Sequence, residues 1–186
     1  MAAGEYEIGP GAGRLLVRTY REGAAARAGH DLVIEAVDWR GRLSVPADPA
    51  DADAPPAVSV RVNLGALRVR EGTGGVKPLS AGDMRQIHQT MRKVLRADRD
   101  PEAVFTSRGV DVDGDTAVVE GDLALAGRTH PLRLQVRLRD DGGIEGNATV
   151  VQSRWGIKPY SGFFGALKVC DAVDVEWAVS LPPPEG

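Results

Sequence analysis

Apolar and polar residues alternate along most of this chain. Leu132, Leu134, Val136 and Leu138 are apolar, and Arg133, Gln135, Arg137 and Arg139 between them are polar, without a fault. A period of two is the mark of a strand with one buried face. The same period runs through residues 58–64, 117–125, 144–151 and 173–181, and a further strand is predicted over 14–20, after the glycine-rich stretch 9–13. Residues 104–107 read as a short strand, and Asp140-Asp141-Gly142-Gly143 as a hairpin turn. In residues 32–45 the apolar phase changes from Leu32, Ile34 and Ala36 to Val37, Trp39, Leu43 and Val45. A change of phase inside one extended run predicts a bulge or tight bend near Ala36.

Helical spacing is clear in one place. Met84, Ile87, Met91, Val94 and Leu95 form an apolar stripe, with Ser80 as N-cap and Asp83 at the third position. Residues 98–101 end that helix, and the alanine-rich 22–28 segment suggests one or two further helical turns. Such a stripe must cover something apolar. Many alternating strands with one helix predict an antiparallel sandwich or barrel, and the barrel is favoured because its last strand can close on its first. The helix then covers an opening.

The aromatic residues depart from this regularity. Trp155, Tyr160, Phe163 and Phe164 crowd into residues 152–171 together with Gly156, Pro159, Gly162 and Gly165. Aromatics on irregular backbone suggest a lid over an apolar space, or packing in the core. Within this stretch Gly156-Ile157-Lys158-Pro159-Tyr160-Ser161 echoes Gly75-Val76-Lys77-Pro78-Leu79-Ser80. Residues 46–56 are rich in Pro, Ala and Asp and predict a mobile loop; residues 182–186 predict a frayed tail.

Composition narrows the classes. A chain of 186 residues with 42% hydrophobic and 26% charged content fits one globular domain. A net charge of −3 argues against nucleic acid as the main partner. Cys170 is the only cysteine, so no internal disulfide forms. No apolar run reaches the roughly 20 residues of a membrane span. Residues 1–7 lack the basic and apolar regions of a signal peptide, so the expected location is cytoplasmic.

Candidate chemistry is sparse. His30, His88 and His130 stand at no metal-ligand spacing. His30 reads as a hydrogen-bonded residue at a strand entry, His88 as a half-exposed neighbour of the stripe, and His130 as solvated in a turn before Pro131. Adjacent His30 and Asp31 point to opposite faces of an extended chain, which weakens them as an acid–base pair. Residues 72–80 resemble a phosphate loop only superficially, because Val76 precedes Lys77 and Pro78 removes an amide donor. Free amides near Ser80 beside Lys77 leave a weak anion site open. Arg133, Arg137 and Arg139 read as a solvated exterior.

Three segments carry a family resemblance: Gly29-His30-Asp31-Leu32 running to Trp39-Arg40-Gly41-Arg42-Leu43, then 101–107, and most specifically 121–132 (Gly-Asp-Leu-Ala-Leu-Ala-Gly-Arg-Thr-His-Pro-Leu). They resemble the YceI-like, polyisoprenoid-binding proteins, in a leaderless subgroup; Asp100 stands where members usually have tyrosine. The resemblance implies an all-β, up-and-down, eight-stranded lipocalin-like barrel with one α-helix over an opening, forming one domain over 1–186. It implies a carrier that holds a polyisoprenoid, isoprenoid quinone or similar long-chain lipid in an apolar pore, with no cofactor and no metal. The site residues expected are Lys77, Lys158 and Tyr160 at the headgroup, Trp155, Phe163 and Phe164 lining the mouth, and Trp39. The alternative is an isomerase or cyclase using His30 and Asp31. Partners expected are the lipid and, secondarily, a second copy as a homodimer.

Overall fold

The computed structural model describes residues 3–48 and 55–181. In chain order its strands are β1 (Gly4–Ile8), β2 (Gly13–Thr19), β3 (Arg21–Glu22), β4 (His30–Ala36), β5 (Trp39–Val45), β6 (Ala57–Asn63) and β7 (Leu67–Gly74). The helix α1 (Ala81–Val94) follows, then β8 (Glu102–Asp113), β9 (Thr116–Leu125), β10 (Arg128–Leu138), β11 (Gly143–Val151), β12 (Ser161–Gly162), β13 (Leu167–Val169) and β14 (Ala172–Ser180). The alanine-rich 22–28 segment yields only a single 3-10 turn, Ala26–Ala28. Residues 49–54 of the 46–56 loop, and the 182–186 tail, lie outside the described residues.

One curled antiparallel sheet dominates, in the order β1-β5-β6-β8-β9-β10-β11-β14-β2-β4-β7. Among the described residues it has eleven strands, which corrects the expected eight. Three runs are broken by kinks: β1 from β2 at residues 9–12, β4 from β5 at 37–38, and β6 from β7 at Leu64–Ala66. The bend expected near Ala36 is the second of these. Asn63 pins it, its backbone N–H donating to Asp38 O at 3.0 Å and its Nδ2 to Asp38 Oδ2 at 2.7 Å. Because β4 pairs with β7 and β5 with β6, one long bent hairpin runs from His30↔Gly74 at one end to Ser44↔Ala57 at the other. That hairpin brings the two ends of the strand order together. The end strands β1 and β7 themselves share no ladder among the described residues.

The last strand does return to the start: β14 pairs with β2, Val175 facing Val17 and Trp177 facing Leu15. On β10 the inward Leu132, Leu134, Val136 and Leu138 are half-buried while the arginines between them are exposed. Arg137 lies 3.6 Å from Asp115, and Arg139 2.9 Å from Asp141, as befits an outer surface. The short strand expected at 104–107 extends as β8 to Asp113, through a register shift between Ser107 and Gly109.

Helix α1 starts as its sequence predicts. The Asp83 N–H donates to Ser80 Oγ at 3.1 Å, and the Ser80 N–H donates back to Asp83 Oδ2 at 2.9 Å, forming a capping box. Yet no residue of α1 is buried. It packs against β7, with His88 Nδ1 donating to Leu67 O at 3.0 Å. Its Met91 and Val94 are half-buried against the core cluster, and with Ile87 they also face a space beneath the helix.

Candidate functional site

That space is a cavity of about 1140 Å³ running through the curl of the sheet. Its origin is in side-chain size. Inward positions carry Val17, Val58, Val60, Val62, Val119 and Val175, with leucines between them, and the aromatics in the lining are Trp39, Phe105, Tyr160 and Trp177. Aromatic residues make up only 5% of the sequence. A barrel of this width is either filled by its own side chains or left able to hold one small guest. Short aliphatic chains leave the second outcome. The volume slightly exceeds the range of roughly 300–1,000 Å³ common for small-molecule pockets.

Charge is confined to one end. The charged residues lining the cavity are Arg21, Lys77, Asp83 and Lys168, with His30 beside them. The lining also includes Val76, 84% exposed, and Tyr160, 43% exposed, so the cavity meets the surface there. At the far end the wall reaches Ser44, Val45, Val112 and Gly114, none of them charged; Val112 is 53% exposed, so the cavity meets the surface there too.

Hydrogen bonds shape this mouth. His30, at the start of β4, donates from Nε2 to Lys77 O at 2.9 Å and so holds the loop after β7 against the strand. The approach requires glycine: a Cβ on Gly75, whose φ is +73°, would lie 2.3 Å from His30 Nε2. Arg21 NH1 donates to Gly29 O at 2.8 Å and Thr73 O at 3.1 Å, while Asp31 Oδ1 accepts from the Arg21 N–H at 2.8 Å. His30 and Asp31 are therefore each committed to the frame of the mouth, to different partners. They do not form an acid–base pair. The weak anion site near Ser80 is likewise occupied from within, since the capping box gives its hydrogen bonds to the Asp83 carboxylate. Those bonds, from the Ser80 hydroxyl and then its backbone, hold the Asp83 carboxyl below its usual value.

The expected site residues divide. Lys77, Tyr160 and Trp39 line the cavity. Trp39 is 5% exposed, and its Nε1 is a buried donor without a partner among the described residues. Lys158 is exposed and lies between Ile157 and Tyr160, which flank the lining, but is not itself part of the wall. Trp155 departs from the mouth position expected of it. It is fully buried, donates from Nε1 to Leu123 O at 2.8 Å, and does not line the cavity. Gly156, with φ +69°, turns the chain so that Trp155 enters the wall and Ile157 faces the cavity. Phe163 and Phe164 also lie off the cavity wall, at 65% and 113% exposure. His130 is corrected as well: it sits in β10, not in a turn, with its ring edge-on to Trp155 at 5.5 Å.

A family model for the YceI-like domain matches residues 25–181. The chain belongs to the YceI-like family. Its curated relatives include UPF0312 proteins of Pseudomonas aeruginosa and Pseudomonas paraeruginosa, 32% identical over 83 residues. That alignment covers 40% of this YceI-like chain and 44% of each relative, so the match spans less than half of their length. Among solved structures, Burkholderia cenocepacia BcnA superposes with a TM-score of 0.61 at 12% identity, over 89% of this chain and 94% of that one. The Campylobacter jejuni YceI protein gives 0.50 at 15% identity, over 77% and 82%. At such identities the likeness establishes the fold alone.

Among the polar lining residues of this YceI-like chain that were not anticipated are Arg21, Lys168 and the buried Gln152, whose Nε2 donates to Cys170 O at 3.0 Å. Arg21 and Lys168 sit on the small sheet β12-β13-β3, whose strands are too short to show a period. Cys170 is a half-buried free thiol. Burial, and then Glu22 at 3.5 Å, push its thiol pKa up. No group of three or more metal-ligating side chains occurs among the described residues, and no helix there is long and apolar enough to cross a membrane.

Proposed function

We propose that this chain carries a long-chain amphiphile, a polyisoprenoid or isoprenoid quinone being the class that fits best. The tail lies along the aliphatic interior and the headgroup at the Lys77, Tyr160 and Lys168 end, with Trp39 in the wall. The observation that carries this reading is the polarity of the cavity. About 1140 Å³ is lined mostly by valine, leucine and isoleucine, with every charged lining residue at one end. An enzyme working on a small polar substrate would need its polar groups gathered around a reacting atom. Here they ring an entrance.

Magnitudes suit a slender guest. At roughly 0.3 kcal/mol per heavy atom, a tail of about 20 carbons contributes ~6 kcal/mol, which corresponds to tens of micromolar. A longer tail or a held headgroup tightens that. The purified protein is expected to yield a lipid on organic extraction and mass spectrometry, and to bind a fluorescent apolar probe that the extracted lipid displaces. An empty extract together with no probe uptake would sink the carrier reading.

A further inference from the structure

Resting on the carrier reading, we propose that the mouth of the cavity docks onto an anionic lipid surface, from which the guest enters. The β12–β13 hairpin tip presents Phe163 and Phe164 to solvent, at 65% and 113% exposure. Both adopt left-handed backbone, with φ of +49° and +55°, a region that L residues enter at a cost. The tip is held in that shape. Ala166 N–H donates to Phe163 O at 3.1 Å, and Ala25 N–H donates to Ala166 O at 2.8 Å. Two exposed phenylalanines on strained but anchored backbone serve no need of the fold. Val76 and Tyr160, both lining the cavity, are 84% and 43% exposed.

Charge complementarity decides the occupant. Three of the chain's four lysines lie around this mouth, Lys77 in the loop after β7, Lys158 in the segment before β12 and Lys168 on β13, in a protein whose net charge is −3. None of the three is in an ion pair among the described residues. The nearby acids keep their charge: Asp31 bonds to the Arg21 N–H, Asp83 is capped by Ser80 with Lys77 within electrostatic reach, and Glu22 stands opposite Lys168 on β3. The positive excess at the mouth therefore comes from Arg21 and the three lysines together. Exposed aromatics beside unpaired lysines are the chemistry of a segment that settles at an anionic bilayer interface. Docked in that way, the mouth opens toward acyl chains, and a tail passes between bilayer and cavity without crossing water.

Co-sedimentation with phosphatidylcholine vesicles, with and without phosphatidylglycerol, tests the proposal. The protein is expected to bind the phosphatidylglycerol vesicles preferentially, and to leave them at high salt. Replacing Lys77, Lys158 and Lys168 together by Gln is expected to weaken that binding about a hundredfold, at about fivefold per lysine. The Phe163→Ser/Phe164→Ser variant is expected to weaken binding at least about tenfold and to slow lipid transfer between vesicles. Its melting temperature and its uptake of the apolar probe in free solution stay at wild-type values. Absence of vesicle binding, or binding that ignores both variants, overturns the docking. So does ultracentrifugation showing that the phenylalanine pair instead holds two copies together. Failure of vesicle binding with probe uptake intact leaves the carrier reading standing, whereas loss of uptake by the wild type removes that reading whatever the vesicles do.

Discussion

Two aromatic residues five positions apart do opposite things in this protein. Trp155 is wholly inside, its Nε1–H bonded to Leu123 O, whereas Tyr160 stands 43% exposed at the cavity mouth. Substitution separates them. Trp155→Phe removes a buried hydrogen bond and some packing volume, and should lower stability by about 1–3 kcal/mol in urea denaturation. Affinity for the apolar probe should be unchanged. Tyr160→Ala should do the reverse, shifting stability by less than about 0.5 kcal/mol while weakening probe binding. If Trp155→Phe instead cuts affinity at constant stability, the indole belongs to the binding surface. The sequence could not distinguish the two, since both sit in one glycine-interrupted stretch whose geometry depends on Gly156 at φ +69°.

Among the elements, legibility followed the purity of the period. β10 was readable to the residue because one face meets the cavity and the other water, so Leu132 to Leu138 alternate cleanly. β7 was missed. Arg68-Val69-Arg70-Glu71-Gly72-Thr73-Gly74 shows one apolar residue, because its glycines admit the Leu79 and Arg21 side chains at close range. The site was harder still, since its wall consists of valines that read as ordinary core and its conspicuous phenylalanines lie off that wall. The helix was legible from both stripe and cap, and the cap makes its stability depend on pH. Hydrogen bonds from Ser80 favour the charged form of Asp83 and depress its folded pKa. Their contribution is therefore complete above the ordinary aspartate value of about 3.9, and is lost as pH falls through the depressed folded value. Amide protection at the first turn of α1, with exchange corrected for its intrinsic pH dependence, should fall over that acid range in the wild type. In Asp83→Asn that protection should be low throughout and flat with pH; an unchanged profile would remove the capping box as the source.

For the molecule as a whole, the question is whether the curl encloses usable space or merely loose packing. The two make opposite predictions for added volume. In a close-packed interior, extra methylenes force side chains off their rotamers and cost about 1–3 kcal/mol. In a true void they bury new apolar area at about 25 cal/mol per Å² with nothing to displace. Leu134→Phe and Val60→Phe place rings into the cavity from β10 and β6, positions whose present side chains leave it open. The double variant is expected to gain roughly 1–2 kcal/mol in denaturant titration of lipid-free protein. Its uptake of the apolar probe should fall together with the yield of co-purified lipid. Stabilisation without loss of uptake would mean that the guest binds elsewhere, and destabilisation by more than about 1 kcal/mol would mean that the interior was already full. Under the proposed carrier function, the stability forgone at each inward valine is what leaves room for a tail.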